Sequence, residues 1–85
     1  MTVKLLYFAW VREKAGRAEE EVELPAGART VADVIAWLTT RGPEFASAFE
    51  RGEVIRAAIN QSHVKHNASI EGAREIAFFS PVTGG

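Results

Sequence analysis

The sequence predicts an α+β fold, a mixed sheet of four to five strands with one main helix packed on one face. Short runs of apolar or alternating residues recur at strand length, and one stretch carries a helical apolar stripe. In chain order, two of the strands precede that helix and the others follow it. At 85 residues the chain has room for one core only.

Val3–Trp10 (VKLLYFAW) is apolar apart from Lys4, which fits a central strand covered on both faces. Arg12–Gly16 is charged, ends in glycine and reads as a connection. In Glu19–Leu24, Glu20, Val22 and Leu24 share one face while Glu19, Glu21 and Glu23 share the other. Outward acids of this kind discourage sheet-to-sheet pairing and mark an edge strand. Pro25-Ala26-Gly27 is a turn. The helix begins at Thr30, where Asp33 three residues on approximates a capping box, and Val31, Val34, Ile35 and Leu38 form the stripe. Gly42 and Pro43 are expected to stop it.

Pro43–Arg51 predicts a second, shorter helical segment that brings Phe45 and Phe49 together, with Gly52 ending it. Val54–Ile59 is a strand, Asn60-Gln61-Ser62 a turn, and His63–Lys65 a short strand. After the turn region Ser69–Gly72, Arg74–Phe79 is the last strand. Residues 1–79 thus form the domain and residues 80–85 an extended tail. If the first and last strands lie side by side at the centre, they run parallel. Val3, Leu5, Tyr7, Val22, Leu24, Ile55, Ala57, Ile59, Ile76 and Phe78 then face the helix. Lys4, Leu6, Phe8, Trp10, Arg56, Glu75, Ala77 and Phe79 face away. Two arrangements accommodate the outward Phe8 and Phe79: contact with another protein, or cover from the Pro43–Arg51 segment or a loop.

Composition removes several classes of function. Lys and Arg number 10 against 11 Asp and Glu, a balance that shows no basic excess for nucleic acid. No apolar run approaches the roughly 20 residues that span a bilayer, and no secretory signal precedes the first strand, so a cytoplasmic, soluble protein is expected. The absence of cysteine excludes disulfides, a thiolate nucleophile and a Cys-based zinc site. His63 and His66 lack a nearby acid and read as surface histidines, so no metal site is expected. The seven glycines form neither phosphate-binding signature, and no side-chain catalyst stands out.

The end of the chain remains. Phe78-Phe79-Ser80-Pro81-Val82-Thr83-Gly84-Gly85 passes from a strand into a proline-stiffened segment that closes on two glycines. Residues without β-carbons make a slender tail that can thread a narrow channel in another protein. Its one reactive group is the Gly85 carboxyl. Once activated as a mixed anhydride with AMP, that carbonyl accepts a sulfur or amine nucleophile with little steric hindrance.

These features resemble the small, sulfur-carrier subunits of molybdopterin synthase, in the ubiquitin-like β-grasp superfamily. The resemblance runs through VKLLYFAWVREKAG (residues 3–16), the Thr30–Gly42 helix, AAINQ (57–61) and REIAFFSPVTGG (74–85). The last eight residues are its specific part, with Ser80-Pro81 where the family usually has two prolines. The resemblance implies that an ATP-dependent, ubiquitin-activating-like adenylyltransferase activates Gly85. A sulfurtransferase or cysteine desulfurase then supplies sulfur for a C-terminal thiocarboxylate. Pro81, Val82, Thr83 and Gly84 would insert into the large synthase subunit, where sulfur passes to precursor Z (cyclic pyranopterin monophosphate). Acid–base groups would come from the large subunit, no cofactor would be bound by this chain, and the assembly would be a heterotetramer. Phe8, Arg12 and Phe79 match partner-contacting positions of the family. The same tail chemistry also serves ubiquitin-like protein modifiers and sulfur carriers for thiamine thiazole or tRNA thiolation. An inert-tailed β-grasp binding module is a third reading.

Overall fold

The computed structural model describes residues 1–81. Their order is β1 (Thr2–Tyr7), α1 (Ala9–Ala15), β2 (Glu19–Glu23), α2 (Val31–Thr39), α3 (Pro43–Ala48), a 3-10 turn (Gly52–Val54), β3 (Arg56–Ile59), β4 (Ser62–Val64) and β5 (Glu75–Phe79). The strands form one mixed sheet in the order β2-β1-β5-β3-β4. β1 and β5 are parallel neighbours, Leu5 opposite Ile76 and Tyr7 opposite Phe78, as the alternation predicts. All other pairs are antiparallel. The acidic β2 stands at one edge and the short β4 at the other.

α2 forms where the pattern places it. The Thr30 hydroxyl accepts from the Asp33 N–H at 3.2 Å, and the Asp33 carboxylate accepts from the Thr30 and Arg29 N–H groups at 3.1 and 2.9 Å. This capping box satisfies backbone donors that the first turn of the helix leaves without partners. It also holds the Asp33 carboxyl below its ordinary range, chiefly through the Arg29 and Thr30 N–H bonds. Val31, Val34, Ile35 and Leu38 are all buried. Against them lie Val3, Leu5, Tyr7, Ile55, Ala57, Ile76 and Phe78 of the sheet side, also buried. Tyr7 and Phe78 stack at 6.4 Å between ring centroids; Phe45 meets Tyr7 edge-on at 6.2 Å and Phe49 meets Phe78 edge-on at 5.4 Å.

Four expectations are corrected. The first strand ends at Tyr7, and the expected connection after it is helix α1. Ala9 adopts a left-handed φ of 52°, the chain reverses, and the Phe8 carbonyl accepts from the Val11 and Arg12 N–H groups. Val11 and Ala15, one turn apart, bury against the core, and Gly16 closes the helix at φ 79°. Trp10 therefore leaves the outer face and packs on the core from α1.

The second correction lies at the end of α2, which stops at Thr39 rather than Gly42. Thr39 and Thr40 hydroxyls donate to the Ile35 and Trp37 carbonyls at 2.8 and 2.7 Å, drawing off the last acceptors of the helix. Gly42 instead precedes α3, with Pro43 in its first turn, where a missing N–H costs nothing. The third is the shortening of the Val54–Ile59 strand, which begins only at Arg56 after the 3-10 turn. Fourth, Pro43–Arg51 does not cover the outward aromatics, since Phe45 and Phe49 lie on the opposite, inner side of the sheet.

The β3–β4 hairpin turns on Asn60 and Gln61, both with positive φ (49° and 73°), as expected, but Ser62 already belongs to β4, which runs Ser62–Val64 rather than His63–Lys65. The Asn60 side chain then accepts from the Arg74 and Glu75 N–H groups at 2.8 and 3.1 Å, fixing where β5 begins.

Candidate functional site

β5 is the middle strand of five, bonded to β1 on one side and β3 on the other. The chain beyond Phe79 therefore leaves the most firmly held strand of the sheet. Ser80 and Pro81 follow it, both half-buried. Val82, Thr83, Gly84 and Gly85, the rest of the predicted tail, lie outside the described residues.

The outer face beside this exit has an apolar row across its centre. Leu6 pairs with Ala77, and Ala77 with Ala58, in register across three strands. Phe79 pairs with Arg56, and its ring lies 5.2 Å from that of His63, tilted by 50°. Phe8 is 47% exposed, one of two large apolar side chains among the described residues left so open. It reaches the outside as the residue that caps α1, not as a strand position. Its N–H donates to the Phe78 carbonyl at 3.0 Å, so Phe8 is tied to the backbone one residue before Phe79. Arg12 follows one helical turn later, exposed and with no carboxylate partner among the described residues. Phe8 is thus tied to β5 next to Phe79, Pro81 follows Phe79 by two residues, and Arg12 lies one turn beyond Phe8.

Pro81 also lines a cleft of about 510 Å³ with Arg56, His63, Lys65 and His66. His63 is exposed, as expected of a surface histidine, whereas His66 is half-buried. With Nε2 protonated, His66 donates to the Ile55 carbonyl at 2.6 Å. Among the described residues no group of His, Asp and Glu is placed to hold a metal ion.

Sequence reasoning overlooked one polar cluster. Glu20, which alternation places on the inner face of β2 with Val22 and Leu24, is only 14% exposed at its side chain. Arg41 donates to it through two nitrogens at 2.6 and 3.2 Å, Arg17 through one at 3.1 Å, and the Tyr7 hydroxyl at 2.6 Å. Both guanidinium groups lie over the Phe45 ring, 5.0 and 4.6 Å from its centre. Burial pushes the Glu20 carboxyl upward, but the Arg41 and Tyr7 bonds and the two Arg charges outweigh it and hold the carboxyl below its ordinary range. Burial and the neighbouring Glu20 carboxylate push the Tyr7 hydroxyl far above its usual value. The cluster ties β1 and β2 to the segment between α2 and α3 on the inner side, away from the outer face. The inward parity of Glu20 with Val22 and Leu24 was its one sequence signal.

A five-stranded mixed sheet that wraps α2 and leads its middle strand toward a Gly-Gly pair defines a ubiquitin-like β-grasp protein. Residues 5–85 match the ThiS family, and the chain belongs to it. Two relatives named molybdopterin synthase sulfur carrier subunit are similar along their whole length. That of Escherichia coli is 36% identical and that of Haemophilus influenzae 35%, each over 98% of this chain and 99% of the relative. Among solved structures, SAMP1 (small archaeal modifier protein 1) from Haloferax volcanii superposes over all of both chains with a TM-score of 0.75 at 27% identity.

Proposed function

We propose that this chain is the sulfur-carrier subunit of molybdopterin synthase, active through its Gly85 carboxyl. The observation that carries the reading is the full-length similarity to sulfur carrier subunits, 36% identity over 98% of the chain. The exposed Phe8 and the half-buried Phe79 and Pro81 support it, because they leave apolar side chains open near the last described residues. In the cycle, an adenylyltransferase joins the Gly85 carboxylate to AMP and releases pyrophosphate. The terminal sulfur of a persulfide on a sulfurtransferase or cysteine desulfurase attacks the acyl carbonyl and displaces AMP, and a thiol then reduces the acyl disulfide so formed, leaving the thiocarboxylate and a disulfide. Gly84, Thr83, Val82 and Pro81 then enter the large subunit, where the sulfur passes to precursor Z and Gly85 returns as a carboxylate. This chain supplies the carrier, and the large subunit supplies the acid–base groups of a cytoplasmic heterotetramer. ATP is consumed by the activating enzyme; no cofactor or metal is assigned to this chain.

Intact-mass spectrometry tests this after incubation with ATP, the adenylyltransferase and a sulfur source. The expected result is a mass gain equal to replacing one oxygen by sulfur, absent when Gly85 is deleted, followed by sulfur transfer to precursor Z. No gain, with the adenylyltransferase active on another carrier, would overturn the reading and leave an inert-tailed binding module.

The likeness to SAMP1 favours one second reading, a protein modifier whose Gly85 is joined to lysine. Isopeptide-linked products in place of the thiocarboxylate would select it. Thiocarboxylate formation with transfer only to thiazole or tRNA acceptors would select a carrier for those pathways.

A further inference from the structure

The charges of the outer face are not evenly spread. At the β2 edge Glu19, Glu21 and Glu23 share the outer register, with Lys4 paired to Glu19 at 3.5 Å. At the other side stand Arg56 on β3, three strand spacings or about 14 Å away, and His63 on β4, four spacings or about 19 Å away, with Lys65 just after β4. Arg56 and Lys65 are exposed and have no carboxylate partner among the described residues. They line the cleft beside Pro81, whose one acid, Glu53, is drawn to Arg51 at 3.7 Å. The chain as a whole carries a net charge of -1, so this local excess of positive charge runs against its average.

We propose that the cleft formed by Arg56, His63, Lys65 and Pro81 docks an Asp- or Glu-bearing segment of the protein that receives the tail. The inference rests on the carrier reading, which supplies such a protein. Its position is the first argument: Pro81 is in the cleft wall, so a protein enclosing the residues that follow passes over Arg56 and Lys65. Chemistry is the second. Two unpaired cations beside the half-buried Phe79 ring are matched by carboxylates at the rim of an apolar contact. The opposite sign at the β2 edge repels the same segment there, which fixes the orientation of the docked pair. Charges of this kind act on the rate of encounter and weaken with salt.

Two measurements test the proposal. In the first, the ¹⁵N-labelled chain is titrated with a short poly-glutamate peptide, and in parallel with inorganic phosphate. Shifts confined to residues 53–57 and 63–66 with the peptide alone support it. Shifts scattered over the surface overturn it, and equal shifts with phosphate make the cleft a small-anion site instead. In the second, the association rate with the molybdopterin synthase large subunit is measured for Arg56→Glu/Lys65→Glu and for Glu21→Lys. The expected result is about a tenfold slower encounter for the double variant at low salt, converging on the wild type at high salt, with Glu21→Lys no slower. An unchanged rate overturns the cleft while leaving the carrier reading intact. Localised peptide shifts with no binding of the wild type to the large subunit would overturn the carrier reading and leave the cleft standing.

Discussion

Replacing Phe8 by alanine separates binding from folding more cleanly than any other change at this surface. Phe8 is 47% exposed. A phenylalanine side chain of roughly 200 Å² thus leaves about 95 Å² for a partner to cover. At about 25 cal/mol per Å² that area is worth about 2.4 kcal/mol, or roughly 60-fold in Kd. Much of what Phe8 does for this fold is done by its backbone. Its N–H donates to Phe78, its carbonyl accepts from Val11 and Arg12, and its extended φ and ψ (−129°, 158°) suit alanine equally. By the same coefficient the part already covered in the fold, about 105 Å², caps the loss of stability at about 2.6 kcal/mol, so Phe8→Ala should remain folded and lose no more than that in urea. Titration calorimetry against the large subunit should show the weakened affinity. A Kd within about twofold of the wild type would refute the assignment of Phe8 to the contact. A loss well beyond about 2.6 kcal/mol would refute the argument that the fold rests chiefly on its backbone.

Three further outcomes are expected. Phe79→Ala should weaken the same complex by about 2 kcal/mol, measured by the same titration, because truncating a central aromatic anchor removes both area and packing. Leu38→Ala, at a fully buried position of the α2 stripe, should cost about 2–5 kcal/mol in urea unfolding; a near-neutral result would place the stripe elsewhere. Glu20→Gln should cost about 2 kcal/mol at neutral pH by weakening the charge-assisted bonds to Arg41 and Arg17. The folded Glu20 carboxyl titrates below its ordinary 4.5, so its contribution is complete above that value and fades as pH falls through the lower folded one. Urea midpoints should accordingly drop less steeply below pH 4.5 in Glu20→Gln than in the wild type.

The fold was legible where one short-range pattern decided the outcome. Alternation placed β2 and β5 and oriented their faces, and the Thr30–Asp33 spacing started α2 at the right residue. α1 escaped because its seven residues bury only Val11 and Ala15, too few for a stripe, and because an unbroken apolar run ended in it. The reversal that begins it depends on the positive φ of Ala9, which alanine does not announce. Glu20 escaped for a different reason: Arg41 is 21 residues away, and only the packed structure brings them together. The outward placement of the two aromatics was half legible. Parity set Phe79 outward correctly, whereas Phe8 is outward as a helix cap rather than as a strand residue. The cleft could be assembled only from the register of three strands and the exit of β5.

On the carrier reading, the chemistry and the affinity of this chain fall to different residues, and the composition of the tail explains why. Gly84 and Gly85 present no side chain and therefore almost no apolar area, so a protein that encloses them gains little binding energy from the groups it must reach. Affinity has to come from the face where β5 leaves the sheet. On the carrier reading that face meets at least two proteins in turn, one that activates Gly85 and one that takes its sulfur. Both must cover Phe8 and Phe79 to reach the tail, so they exclude one another, and the loaded carrier must leave the first before it serves the second. Two aromatic anchors worth about 2 kcal/mol each suit such an exchange better than an extensive apolar face that would hold the carrier in its first complex. A cationic cleft acting mainly on encounter speeds each capture without prolonging it. Charge at the rim and a small aromatic centre are therefore what a carrier passed between successive proteins requires.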